Sequence, residues 1–157
     1  MKRPYSSCLL LLLIIAGTSC KHNSADYTIT GDYMIIGRAG GFVALPYDTY
    51  YLISGSQLRE DTTVPYAAIP DDISKFNFNI VMPASKYDSV KNLPASIPSE
   101  LLGRNNQTIG SYIPDAGYTD IRTSINGVAY KWIFAPDQSS SSPAIHHFLD
   151  SVAIVFN

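Results

Sequence analysis

A chain of 157 residues with 46% apolar and only 15% charged side chains carries enough hydrophobic material for one packed core and has the composition of a folding domain rather than a disordered one. Its formal charge of −2, from 11 basic and 13 acidic residues, excludes the basic footprint with which nucleic-acid binders neutralise phosphates. Both cysteines, Cys8 and Cys20, fall in the first twenty positions, so the rest of the chain has no thiol for a disulfide or a cysteine metal site.

Lys2 and Arg3 precede an unbroken apolar run from Cys8 to Gly17, closed by Thr18-Ser19-Cys20. A run of roughly ten apolar residues is about half the roughly 20 that a membrane-spanning helix needs, and its basic start gives it the layout of an export signal. The ending resembles the lipobox of bacterial lipoproteins, in which a peptidase cuts before a cysteine that then carries the lipid. Gly17 stands where that family usually has leucine, a looser form familiar among Bacteroidota-like lipoproteins. The resemblance implies a signal peptide over residues 1–19, lipidation of Cys20 and a tether through residue 26. Ordinary secretion is the alternative, because Gly17 and Ser19 also suit the general signal peptidase, and it would leave Cys20 a free thiol. Loss of Lys2 and Arg3 with the signal leaves 9 basic against 13 acidic residues, a formal charge of −4. The tether KHNSAD is polar and, at about 3.3 to 3.6 Å per extended residue, reaches roughly 20 Å from the lipid. Lys21 after the cysteine leans, by analogy with sorting rules in diderms, toward the outer membrane.

The remainder, residues 27–157, has single-domain length. Tyr27 to Gly37 is strand-like through Tyr27, Ile29, Tyr33, Ile35 and Ile36. Gly37-Arg38-Ala39-Gly40-Gly41 is expected to break that strand. Phe42 to Leu45 and Thr49 to Ile53 read as further strands, and Gly55-Ser56 as a hairpin turn into Leu58-Arg59-Glu60. Antiparallel pairing follows as the simplest arrangement. Glu60 to Ser74, rich in Pro, Asp and Thr, is expected to be a loop. The alternation at the start of Phe76 to Met82 predicts a half-buried strand.

Helical signals come next. Ser85 with Asp88 three residues on forms a capping-box-like start, with Tyr87 and Val90 on one face and Pro94 as the end. Pro98 to Leu102 followed by Gly103 predicts another helical turn. Thr108 to Ile113 is a candidate strand, and Pro114-Asp115-Ala116-Gly117 has turn chemistry. Tyr118 to Ile125 and Val128 to Ala135 flank Asn126-Gly127, the strongest hairpin signal in the chain, because a type I′ turn needs positive φ at both central residues. Ser142 then suits an N-cap and Pro143 the first helical position. Ile145, Phe148, Leu149, Val152 and Phe156 recur at helical spacing, with a strand over Val152 to Phe156 as the alternative. The fold class expected is α+β: an antiparallel sheet of roughly five to seven strands with short helices and a C-terminal amphipathic helix packed on one face.

Chemistry-bearing patterns are sparse. Gly37, Arg38, Gly40, Gly41 and Phe42 form the candidate binding loop, since glycines permit close backbone approach and Arg38 adds charge. Neither the P-loop lysine nor GxGxxG spacing accompanies them, and a tight bend between strands explains the glycines equally well. His146 and Asp150, four apart on a helix, share a face but lack the third ligand of a catalytic zinc site, so no metal and no cofactor are expected. Asp71-Asp72 and Glu60-Asp61 miss the spacing of a calcium loop. No GxSxG elbow marks a nucleophilic serine, and an enzyme is the lesser expectation. Ten tyrosines after the signal, with Trp132, could anchor a protein or stack on a glycan, although one of Tyr50 and Tyr51 belongs to the core if adjacent strand residues face opposite ways.

A Gly-Gly-Phe element after an early strand, a later Pro-Asp turn, a hairpin and a final helix from Pro143 through Phe148-Leu149 together resemble small emfourin-type domains, inhibitors of thermolysin-like metalloproteases. Ala39-Gly40-Gly41-Phe42-Val43-Ala44 is the stretch that matches, near the family's SGGFAG pattern, with Val43 in place of its alanine and Ala44 in place of its glycine. A long insertion before the Ser85 helix departs from that family. The functional expectation is a lipid-anchored, non-enzymatic envelope binding module whose membrane contact is its lipid. Metalloprotease inhibition, as the resemblance implies, and a small envelope hydrolase or metal-dependent enzyme are the alternatives.

Overall fold

The computed structural model describes residues 27–41, 47–66 and 68–157. The expected signal, the lipidation site Cys20, the tether and the strand expected from Phe42 to Leu45 lie outside the described residues. Seven strands, β1 (Tyr33–Ala39), β2 (Tyr47–Ser54), β3 (Gln57–Pro65), β4 (Ile80–Val81), β5 (Gln107–Ile109), β6 (Tyr118–Ile125) and β7 (Val128–Phe134), form one sheet in the order β4-β3-β2-β1-β6-β7-β5. With α1 (Ala84–Val90), α2 (Ser99–Leu102) and α3 (Pro143–Ala153), this is the expected α+β architecture.

The strongest local signals produce what their chemistry dictates. Asn126 and Gly127 have φ of +51° and +75°, and the turn they make sets Ile125 opposite Val128 in the β6–β7 register. The carboxylate of Asp32 accepts the backbone N–H groups of Asn126 at 3.0 Å and Gly127 at 3.3 Å, fixing the turn against the start of β1. Ser142 caps α3 by accepting the Ile145 N–H, and Pro143 takes the first helical position. Ile145, Phe148 and Val152 are buried along one side of the helix, and Ile154–Phe156 continues as a 3₁₀ turn rather than as a strand.

Both faces of the sheet are covered. On one face Met34, Ile36, Ile121 and Trp132 pack against Val90, Leu93, Leu101, Ile145 and Phe148 from the helical layer. On the other, Ile35, Tyr50, Leu52 and Val64 pack with Phe78, against which Tyr27, Ile29 and Phe76 lie. Tyr50 and Tyr51 are therefore both buried, 0% and 6% exposed, where an uncovered outer face would leave one of them in water. The chain from β4 to β5 joins opposite edges of the sheet and carries α1 and α2 across the first face.

Several expectations need correction. The first strand starts at Tyr33, not Tyr27, and continues through Gly37-Arg38-Ala39, because β2 and β6 pair with it on both sides along that stretch. Glu60 to Pro65 is strand, not loop: β2 offers a partner throughout, a bulge between Asp48 and Tyr50 absorbs the irregularity, and Pro65 sits at the strand end. Of Phe76 to Met82 only Ile80–Val81 joins the ladder, pairing with Arg59 and Glu60. Thr108 to Ile113 yields a strand only to Ile109, since Gly110 turns out at φ +87°, and β5 runs parallel to β7. Helix α1 starts after Pro83 with no side-chain cap, so Ser85 is inside the helix.

Candidate functional site

The C-terminal ends of β1, β3, β5 and β7 and the starts of β2 and β6 meet at one end of the sheet. There β1 gives way to Gly40 and Gly41, at φ +73° and +99°. Their backbone crosses that of Ala116-Gly117 so closely that a β-carbon on Gly41 would stand 3.1 Å from the Gly117 nitrogen, and one on Gly117 only 2.8 Å from the Gly40 carbonyl oxygen. Glycine is required on both sides of this crossing. The Gly40 N–H donates to Asp48 Oδ1 at 3.3 Å, and the Tyr66 hydroxyl donates to the Gly41 carbonyl. Beside the crossing, Tyr112 stacks on Tyr118 with ring centroids 6.1 Å apart at 22°. Tyr112 is 63% exposed, and Tyr66 and Ile113 are exposed as well.

The candidate loop residues are not drawn into one cradle. Gly37 faces the ring of Tyr50 on one side of the sheet. Arg38 lies on the other side, its guanidinium 4.2 Å from the centroid of the Phe156 ring. Gly40 and Gly41 form the crossing just described, and Phe42 lies outside the described residues. Arg38 also rims a cleft of about 160 Å³ between the sheet end and α3, with Phe134, Leu149 and Val152 among its walls. A larger cleft, about 510 Å³, separates Tyr27–Ile29 from Ile73–Asn77 on the opposite face.

Sequence reasoning misses a row of buried polar groups. Asp61, Tyr50, Gly37 and Asp120 stand side by side across β3, β2, β1 and β6. Asp120 is held by Arg122 of the same strand, Nη2 to Oδ2 at 2.7 Å and Nε to Oδ2 at 3.0 Å, with both side chains buried. Burial pushes the Asp120 carboxyl above its ordinary range in spite of Arg122. Asp61 accepts the Thr63 N–H and hydroxyl, both at 2.7 Å, and the Asn77 N–H at 2.6 Å. With Arg59 donating to the Phe78 carbonyl at 3.2 Å, these contacts pin the segment Asp71 to Asn79 over the sheet. Tyr50 Oη is buried without a hydrogen-bond partner among the described residues, and burial raises its pKa. The one signal available beforehand is the alternation Asp120-Ile121-Arg122, opposite charges two apart on one face of a strand.

The remaining candidates have plain placements. His146, His147 and Asp150 are exposed on α3, and among the described residues no group of three metal-binding side chains comes together. Asp72 caps a 3₁₀ turn by accepting the Ser74 N–H at 2.8 Å, and Asp71 pairs with Lys131 at 3.3 Å. Trp132 is core: it is fully buried and donates Nε1–H to the Leu101 carbonyl at 2.9 Å. No protein-family model matches the chain, and no curated protein matches it.

Proposed function

We propose that this chain is a non-enzymatic binding module of the cell envelope, exported by residues 1–19, held at the outer membrane by a lipid on Cys20, and engaging a protein or glycan on the loop end of its sheet. The observation that carries the reading is the Tyr112–Tyr118 stack, whose outer ring is 63% exposed beside a glycine crossing that leaves no room for side chains. Exposed tyrosines combine a large apolar face with a polar tip, the combination favoured at recognition surfaces. A surface set on packed backbone loses little freedom on binding. The non-catalytic part of the reading is supported by how the buried charges are used, since Asp61 and Asp120 are engaged by Thr63, Asn77 and Arg122.

The test compares the chain with its Tyr112→Ala and Tyr66→Ala variants on arrayed envelope glycans and on proteins crosslinked to it in native envelopes. The reading expects one defined ligand whose affinity falls about tenfold or more in Tyr112→Ala with the melting curve preserved. Undiminished binding by the double variant contradicts it. Stoichiometric slowing of a thermolysin-like metalloprotease would make that enzyme the partner.

A further inference from the structure

The cleft rimmed by Arg38 has a chemistry distinct from the tyrosine surface. Its lining is mixed: Phe134 from β7, Leu149 and Val152 from α3 and Phe156 from the turn that follows supply the apolar part, and Thr119 of β6 adds a hydroxyl. Gln138 also borders it, but its amide is spent: Nε2 donates to the carbonyls of Ile109 and Ala135, and Oε1 accepts the Ser141 hydroxyl at 2.6 Å. Arg38 is different. Its side chain is exposed, its guanidinium rests on the Phe156 ring, and among the described residues no carboxylate forms an ion pair with it. A guanidinium placed over an aromatic ring spends none of its N–H donors on that contact, so they remain available to receive a carboxylate in a forked pair. Arg122 and Arg59, by contrast, are engaged internally, by Asp120 and by the Phe78 carbonyl.

We propose that this cleft binds a small monocarboxylate with a short, branched apolar tail, the carboxylate on Arg38 and the tail between Phe134, Leu149 and Val152. Size and charge set the ligand class. A volume of about 160 Å³ is well below the roughly 300–1,000 Å³ of sites for drug-sized ligands, so the tail has only a few carbons. The single uncompensated cation at the rim selects a single negative charge, and the apolar part of the lining receives the tail. A free acid fits more directly than a polypeptide chain end, which would also need the upstream peptide accommodated.

The experiment titrates the chain with isovalerate, isovaleramide and N-acetyl-leucine, reading amide NMR shifts. Isovalerate is expected to move the signals of Arg38, Thr119 and Ala153 saturably in the millimolar range. Removing the charge on either side, in isovaleramide or in Arg38→Gln, weakens binding about tenfold. Filling the cleft with Ala153→Leu abolishes it, and the dispersed spectrum of each variant reports that the fold is kept. Absence of saturable shifts in the unaltered chain overturns the proposal, as does equal binding of isovaleramide or equal binding by Arg38→Gln. Much tighter binding of N-acetyl-leucine than of isovalerate also overturns it, by assigning the cleft to a polypeptide terminus.

Discussion

The ring of Tyr50 lies across Gly37, with Cδ1 and Cε1 each 2.1 Å from where a β-carbon on that glycine would stand. The two residues are direct partners in the β1–β2 ladder, and Asp120 is the partner of Gly37 on its other side. Gly37 therefore works by size, letting a large ring cover the backbone of the central strand. Gly37→Ala should destabilise the fold by about 1–3 kcal/mol, as overpacking of a filled site does, and Tyr50→Leu should offset part of that loss. Urea unfolding of the two single variants and the double variant measures both effects.

The Asp120–Arg122 pair is buried, so removing one member leaves the other without compensation. Arg122→Leu should cost about 3–5 kcal/mol, and replacing both residues with apolar side chains should cost clearly less than the sum of the single changes. A double-mutant cycle by chemical denaturation checks this. Additive losses would mean that Arg122 acts mainly through its contacts with Asp71 and the Phe76 ring.

What could be foreseen from the residues divides along physical lines. The Asn126-Gly127 hairpin and the Ser142-Pro143 helix start rest on chemistry contained within a few neighbouring positions, and both form as expected. The extent of β3 does not, because a Pro-, Asp- and Thr-rich stretch becomes strand only when β2 supplies a partner along its length. The same reason separates the candidate loop residues: once Gly37 and Arg38 are paired in β1, strand alternation sends them to opposite faces, which a loop assignment conceals. The buried polar row was illegible because its members come from four strands distant in sequence. The Tyr112–Tyr118 stack is legible only as a surplus of tyrosines, since the five intervening positions must turn back to bring the rings together.

Acid sensitivity should trace partly to Asp32. Its carboxyl is held below the ordinary range, first by the Asn126 N–H and then by that of Gly127. A depressed folded-state pKa gives stability that is present above the unfolded value and lost as pH falls through the folded one. Asp32→Asn should therefore lower stability at neutral pH and flatten its decline on acidification. Asp120 acts in the opposite sense: its raised carboxyl favours the folded state below the unfolded pKa, a contribution lost as pH rises through the folded value. Melting curves across the acidic range, for each carboxylate changed to its amide, separate the two.

Helix α3 should depend on its cap. Ser142→Ala removes the acceptor for the Ile145 N–H and the hydroxyl bonded to Glu100, and should destabilise the fold by about 1 kcal/mol, with Ser142→Thr, which keeps both, retaining most of the stability. Trp132, the single tryptophan, is buried beneath this layer, so its emission follows unfolding in both variants.

The most direct measurement is the mass of the mature amino terminus in protein extracted from native envelopes. The account predicts a chain that begins at Cys20, carries a thioether-linked diacylglycerol on that residue and partitions with outer-membrane lipoproteins. A chain that retains residues 1–19, or begins elsewhere with an unmodified Cys20 thiol, contradicts it.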